Sequence, residues 1–322
     1  MSGATVTMPG APEQGSLSGE GTASLTDLLA AGERATFHGP PAQAVGALEQ
    51  AIALAGQEGR RAEVTAAAWL LGVALAARGR YGGALTVLSP LIEPGEAAGA
   101  APEQELFAAF AAASIASVHR QLGRHSVARD YDERGLSLVD DEEAGFDCRL
   151  GLAADAVGLG EADTAREHLD LAAEMVAAHK DWWRQQVRLD WVRAEVSLLE
   201  GDADAAVSAA VSAVERAEAA LAPRHVAKGL LFLGVAQVQT GDEEAVTTLR
   251  RAATLAESLE ALPLVWPARA VLGALVGDTD PAESARSLAA ARSAVLGIAG
   301  DLPPGVRDSW LARPDVAALF EA

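Results

Sequence analysis

The chain is short of the residues that carry most metal and redox chemistry. Its 322 residues include one cysteine, Cys148, which excludes an internal disulfide framework and a multi-cysteine zinc site. A lone thiol suits a reducing compartment. Six histidines, at 38, 119, 125, 168, 179 and 225, are scattered, and no H-E-x-x-H occurs. A zinc site needs three or four converging ligands, so these histidines are expected to be exposed or capping groups. Aromatic residues make up only 4% of the chain although half of it is hydrophobic. Alanine and leucine carry that apolar share, which suits closely packed helices better than sheets and predicts an all-α fold. Lysine is nearly absent (Lys180 and Lys228), and there is no asparagine. No apolar run reaches membrane-spanning length without charges.

Positive charge is scarce as well. With 45 acids against 25 bases the formal charge is −20. That balance opposes nucleic-acid binding and adhesion to anionic membranes, because both need a positive surface. The opening stretch MSGATVTMPGAPEQGSLSGEGTAS has no basic segment and no apolar core of a secretory signal. We therefore expect a cytoplasmic protein whose residues 1–23 form a disordered tail.

What the chain does have is a repeat. In TAAAWLLGVALAARGRYGGALTVLSPLI (65–92), Gly72 stands seven before Gly79, Tyr81 two after it, and Ala84 five after it. Gly32/Gly39/Ala44, Ala116/Gly123/Ala128, Ala153/Gly160/Ala165 and Ala194/Gly201/Ala206 repeat the spacing. Gly234/Gly241 is followed by Ala245, one residue early, and a last weak copy is centred on Gly273 and Gly277. The small residues mark where two paired helices approach closely, and the central glycine closes the first helix. Turn glycines 39, 79, 123, 160, 201, 241 and 277 lie 40, 44, 37, 41, 40 and 36 apart. The widest gap holds the Pro/Gly/Ala-rich stretch EPGEAAGAAPEQ (93–104).

This grammar resembles the tetratricopeptide repeat (TPR). A spacing near 40 also suits HEAT-like pairs, but the Gly–x–Tyr turn and the flanking small residues favour the TPR. The run AEVSLLEGDADAA resembles the TPR arrays of bacterial, notably actinobacterial, signal-transducing ATPase regulators. The resemblance implies a right-handed α-solenoid of about seven helix–turn–helix units over residues 24–298. Residues 299–322 contain two proline-opened helical stretches, expected to cap the last unit through Trp310, Leu311, Val316, Leu319 and Phe320.

Catalytic and cofactor signals do not emerge. There is no G-x-x-x-x-G-K-[ST] loop, and GLGEAD (158–163) lacks the third glycine of a dinucleotide fingerprint. No serine lies in G-x-S-x-G. Cys148 reads as a small buried thiol. The acidic runs VDDEEAG (139–145) and GDTDPAE (277–283) lack calcium-loop spacing and read as solvated turns and N-caps. We expect no enzyme, no cofactor and no metal.

In TPR arrays partners lie in the groove formed by the first helices. Transferring the groove positions by counting each turn glycine as the fifteenth residue selects Trp69, Arg120, Arg188, Trp191, Lys228 and Phe232. Arginines and aromatics dominate interface hot spots, so the expected function is a non-enzymatic adaptor that binds a protein or peptide there. The alternative is a regulatory sensor for a small ligand or signalling peptide. HKDWWRQQVRLDW (179–191) leaves two readings open for Trp191: groove wall, or seam to the fourth unit through Val187 and Ala194. Trp182 and Trp183, beside the expected cap Asp181, read as staples to a neighbouring unit. Partner identity and oligomeric state are not encoded in these patterns.

Overall fold

Short polar caps and glycine stops cut the described residues into helices. The computed structural model describes residues 23–97, 99–138 and 140–321. The expected tail lies, save for residue 23, outside them. Every regular element among them is helical, and none of these helices is long and apolar enough to cross a membrane.

Paired helices form seven units. They are α1 (Leu25–His38) with α2 (Pro41–Gln57), and α3 (Arg61–Arg78) with α4 (Tyr81–Leu88), the latter followed by the short α5 (Ile92–Glu96). Next come α6 (Pro102–Gln121) with α7 (His125–Leu138), α8 (Glu142–Leu159) with α9 (Ala162–Ala177), and α10 (Trp183–Glu200) with α11 (Ala203–Ala219). Units six and seven are α12 (Pro223–Thr240) with α13 (Ala245–Ser258) and α14 (Leu262–Leu275) with α15 (Pro281–Ala299). Two short helices, α16 (Pro304–Leu311) and α17 (Pro314–Glu321), follow.

Several starts carry a side-chain cap. Asp141, Asp202 and Asp280 accept from the backbone N–H three residues on, at 2.9, 3.0 and 2.9 Å. Asp141 and Asp280 belong to the two acidic runs, which are therefore helix starts. Asp181 caps nothing; Trp182 holds the N-cap place of α10. At the stops, Gly79, Gly123, Gly160, Gly201 and Gly241 all have positive φ. Gly39 is extended, because Pro40 behind it disfavours a helical backbone. Gly277 is displaced by a longer loop, and α14 ends at Leu275.

Small residues set how closely each pair packs. A Cβ added to Gly72 would lie 2.5 Å from Leu88 Cδ2, and one added to Gly234 would lie 2.7 Å from Leu249 Cδ2. In these two units the second helix thus drives a leucine into a glycine notch of the first helix. Both leucines are fully buried, each worth about 1.5–3 kcal/mol of transfer free energy. Ala44, Ala84, Ala128, Ala165 and Ala206, the small residues five after each turn glycine, are also fully buried.

Successive first helices (α1, α3, α6, α8, α10, α12, α14) touch one another, whereas each second helix touches its own partner and the next first helix. The first helices are therefore the inner, concave layer. The array curls so tightly that it meets itself. His38, at the turn of unit one, donates from Nδ1 to the Ala220 carbonyl (3.1 Å) in the loop after unit five. Arg78, beside the turn of unit two, pairs with Glu260 (2.8 Å) in the loop after unit six. Arg80 pairs with Asp301 (2.7 Å) after unit seven, and Asp301 also accepts from Gly83 N at 3.0 Å. Arg313, between α16 and α17, donates to the Gln121 carbonyl (3.0 Å) at the turn of unit three. One superhelical turn thus spans four to five units, and its two edges are sewn together.

Trp310, Val316 and Leu319 are buried in one cluster with Val295 and Ile298 of α15 and with Tyr81, Leu88, Ile115 and Leu122 of units two and three. Leu311 packs against that cluster, while Phe320 is 45% exposed. The last two helices therefore sit between the end of the array and its second and third units.

Candidate functional site

The concave layer gathers charge that the composition makes rare. Arg120 (α6), Arg188 (α10) and Lys228 (α12) face inward, joined by Arg184 (α10) and Arg224 (α12). Two of these cations are held by α8. Arg188 and Arg184 both bond Asp147, and Arg184 also reaches Glu143 at 3.0 Å. Arg120 is clamped between two fully buried carboxylates, Asp132 at 2.6 Å and Asp155 at 2.7 Å. Gly151 makes room for Asp132, whose carboxylate occupies the place a Cβ there would take. Burial and the neighbouring Asp155 push the Asp132 carboxyl well above the usual range, against the pull of Arg120. Its Oδ1 has no partner.

Trp69 of α3 stacks on Phe110 with ring centroids 5.0 Å apart, and its Nε1 donates to Ser114 Oγ at 3.2 Å. Trp191 is only 4% exposed. It packs with Val187 against Val226, Leu230 and Leu231 of α12, so its seam is to unit six. That corrects the expected seam to unit four; Ala194 belongs to a separate cluster with Ala206, Ala210 and Ala236. One face of the Trp191 indole remains inward, where the Lys228 ammonium sits 4.5 Å from its centroid and 5.4 Å from that of Phe232. Trp182 stacks on His179 at 3.8 Å and meets Phe146 of unit four edge-on. Trp183 bridges His225 of unit six and His38 of unit one, both at 5.2 Å. The two tryptophans thus staple unit five in opposite directions.

Lys228 makes no hydrogen bond and no ion pair within 4.0 Å among the described residues. Burial lowers its pKa to about 8, although Glu195 pulls the other way. Arg224 has no hydrogen-bond or ion-pair partner either, and its Nε is buried. Two further nitrogens, Trp191 Nε1 and His225 Nδ1, are buried without partners beside them.

No protein-family model and no curated protein sequence matches this chain. Solved structures do. The chain's fold is similar to that of a Rap protein complexed with Competence and Sporulation Factor. The TM-score is 0.65 at 12% identity, covering 92% of this chain and 87% of that one. Weaker likenesses are to aspartyl phosphate phosphatase F from Bacillus subtilis (TM-score 0.49, 12% identity, 95% and 85% covered) and to a signal transduction ATPase with numerous domains carrying a tetratricopeptide repeat sensor, from Pyrococcus horikoshii (TM-score 0.47, 14% identity, 92% and 46% covered). The array is a TPR-like α-solenoid.

Six groove residues were expected from sequence, and the structure brings four of them, Arg188, Trp191, Lys228 and Phe232, together on α10 and α12. Trp69 lies apart, at the seam of units two and three, and Arg120 is enclosed by its carboxylates. Arg224 and His225 escaped the groove count because they precede its first counted residue in that unit, Lys228. Their signal was RHVAK, a basic cluster in a chain of −20 charge. His225, like His119, is buried in the core, contrary to the expectation of exposed or capping histidines. Burial holds both neutral, His119 at a pKa of about 4 and His225 well below the ordinary value. Cys148 is buried against Gly135, and burial pushes its thiol up.

Proposed function

We propose that this chain is a non-enzymatic binding protein that holds a protein or peptide segment on the concave face of its coil. The observation that carries this reading is the inner row of Arg188, Trp191, Lys228 and Phe232. It presents cation and aromatic surface on an otherwise acidic molecule, and that is the residue chemistry of interface hot spots. The fold likeness to a Rap protein solved with a bound factor agrees with it.

Peptides selected from a random display library against the intact chain test the reading. Selected peptides should lose about tenfold or more in affinity to Arg188→Gln and Phe232→Ala, and nothing to Arg251→Gln on the outer layer. Peptides that bind all three variants equally would place recognition on another face. A second reading, a small-ligand sensor, draws on one feature. A cleft of about 600 Å³ opens where the coil edges meet, walled by Arg78, Arg80, Glu260, Leu262, Gly297 and Asp301. A ligand there would bridge units two and seven.

A further inference from the structure

Arg224 is a charge without an answer. A guanidinium stays protonated in any protein environment, so burial cannot neutralise it. The cations Arg188 and Lys228 repel it, and the other ionisable group beside it is the buried, neutral phenol of Tyr81. Lys228, one turn along the same face of α12, has only aromatic faces against it, and the nearest carboxylate that it feels, Glu195, is not within ion-pair distance. Every other cation of the inner row has a carboxylate in contact.

The same place holds ring nitrogens without partners. Trp191 and His225 are each 4% exposed and stack at 5.2 Å; the Trp191 Nε1 donor finds no acceptor, and His225 Nδ1 has no hydrogen-bond partner. Buried donors normally find acceptors, because leaving one unmade costs about 1–3 kcal/mol. Here two cations without a carboxylate in contact and two unpartnered ring nitrogens lie on neighbouring residues of α10 and α12. What the patch lacks is an acceptor-rich anion.

We propose that Arg224 and Lys228, beside the rings of Trp191 and His225, form an oxyanion anchor on the concave face. It takes a carboxylate or phosphate group of the bound segment. The anchor deepens the groove reading and rests on it. It gives that groove a polarity: the ligand's anionic group lies at the start of α12, beneath the turn of unit two.

The test uses the full-length protein and three simple anions, inorganic phosphate, acetate and chloride, at matched ionic strength. Phosphate or acetate should raise the melting temperature over chloride and change the tryptophan fluorescence, a change that Trp191→Phe should remove. The two anions separate a phosphate from a carboxylate preference. Both responses should weaken about tenfold or more in Arg224→Gln and in Lys228→Met, and persist in Arg251→Gln. Neither anchor variant threatens folding, since each removes a half-buried charge that has no carboxylate in contact. No response in the wild type, or a response equal in the anchor variants, overturns the proposal.

A second arm separates this failure from that of the groove. Library-selected peptides that need Arg188 and Phe232, yet bind Arg224→Gln and Lys228→Met undiminished and resist phosphate competition, would sink the anchor and leave the groove. An anion response that depends on Arg224 and Lys228, with no peptide on the concave face, would keep the anchor and sink the peptide reading.

Discussion

Asp301 holds Gly83 in place from 218 residues further along the chain: its Oδ2 accepts the Gly83 backbone N–H at 3.0 Å while Oδ1 takes Arg80 at 2.7 Å. The Asp301 side chain is only 11% exposed, so this clasp is partly shielded from water. Asp301→Ala should cost about 1–3 kcal/mol, the usual range for a charge-assisted hydrogen bond whose partners stay behind. Chemical denaturation measures that, and small-angle scattering should show a larger radius of gyration if the clasp restrains the coil. An unchanged stability would assign closure to the other contacts between the edges, such as Arg78 with Glu260 and Leu262 and Ile298 against Gly79.

Asp132 and Asp155 should respond oppositely to neutralisation. The Asp132 carboxyl is raised by burial and by Asp155. A carboxyl whose folded pKa lies above its unfolded one lends stability at low pH and loses it as pH rises through the folded value. Asp132→Asn should therefore be neutral or stabilising at pH 7 and should flatten that decline. Asp155→Ala leaves Arg120 half-paired in the interior and should cost about 3–5 kcal/mol. Denaturation of the two variants between pH 4 and about 8 decides the matter; equal losses would sink the assignment.

Lys228 sets a second pH window. Its folded pKa, lowered to about 8, lies below the ordinary value of 10.5, so the unfolded chain binds more protons between the two. Stability should rise with pH across that interval, less so in Lys228→Met. The groups facing Lys228 are Glu195 on its own seam and the cations Arg224, Arg188 and Arg120. At pH 7 the Lys228→Met protein should melt higher than wild type by about 2–4 °C, because a half-buried charge with no carboxylate in contact has gone. Anion binding should fade over the same interval in the wild type as Lys228 loses its proton.

Leu221 marks a correctable flaw. It is 78% exposed and sits at φ 53 in the loop after unit five, a left-handed backbone that the turns inside units two to six assign to glycine. A left-handed backbone costs an ordinary residue about 1–2 kcal/mol. Leu221→Gly should raise stability by about 1 kcal/mol, read as a shift in denaturation midpoint. A loss would mean that Leu221 is held by contacts the exposed surface does not suggest.

The periodic part of this structure was legible from sequence, because each unit repeats the same local physics. Gly72 meets Leu88 and Ala84 is buried for reasons contained within one hairpin. The site was legible in part. Lys228 and Phe232 could be placed by counting from Gly241, but the choice between groove and seam for Trp191 could not be made. That choice depends on how unit six docks, and the indole turned out to serve α12 on one side and Lys228 on the other. Arg224 was missed because its importance lies in what is absent around it. No local pattern announces an unpaired charge. The meeting of Arg78 with Glu260 was equally invisible, since it follows from the accumulated rotation of four units.

The stitched edges have an evolutionary consequence. Open repeat arrays tolerate gain or loss of a unit, since each repeat contacts only its neighbours. Here, deleting or duplicating any unit between Gly79 and Leu262 would carry Arg78 past Glu260 and Arg80 past Asp301. The number of repeats is thus held like the number of links in a closed chain bracelet, and natural variation in this lineage should alter sequence freely while leaving the unit count alone.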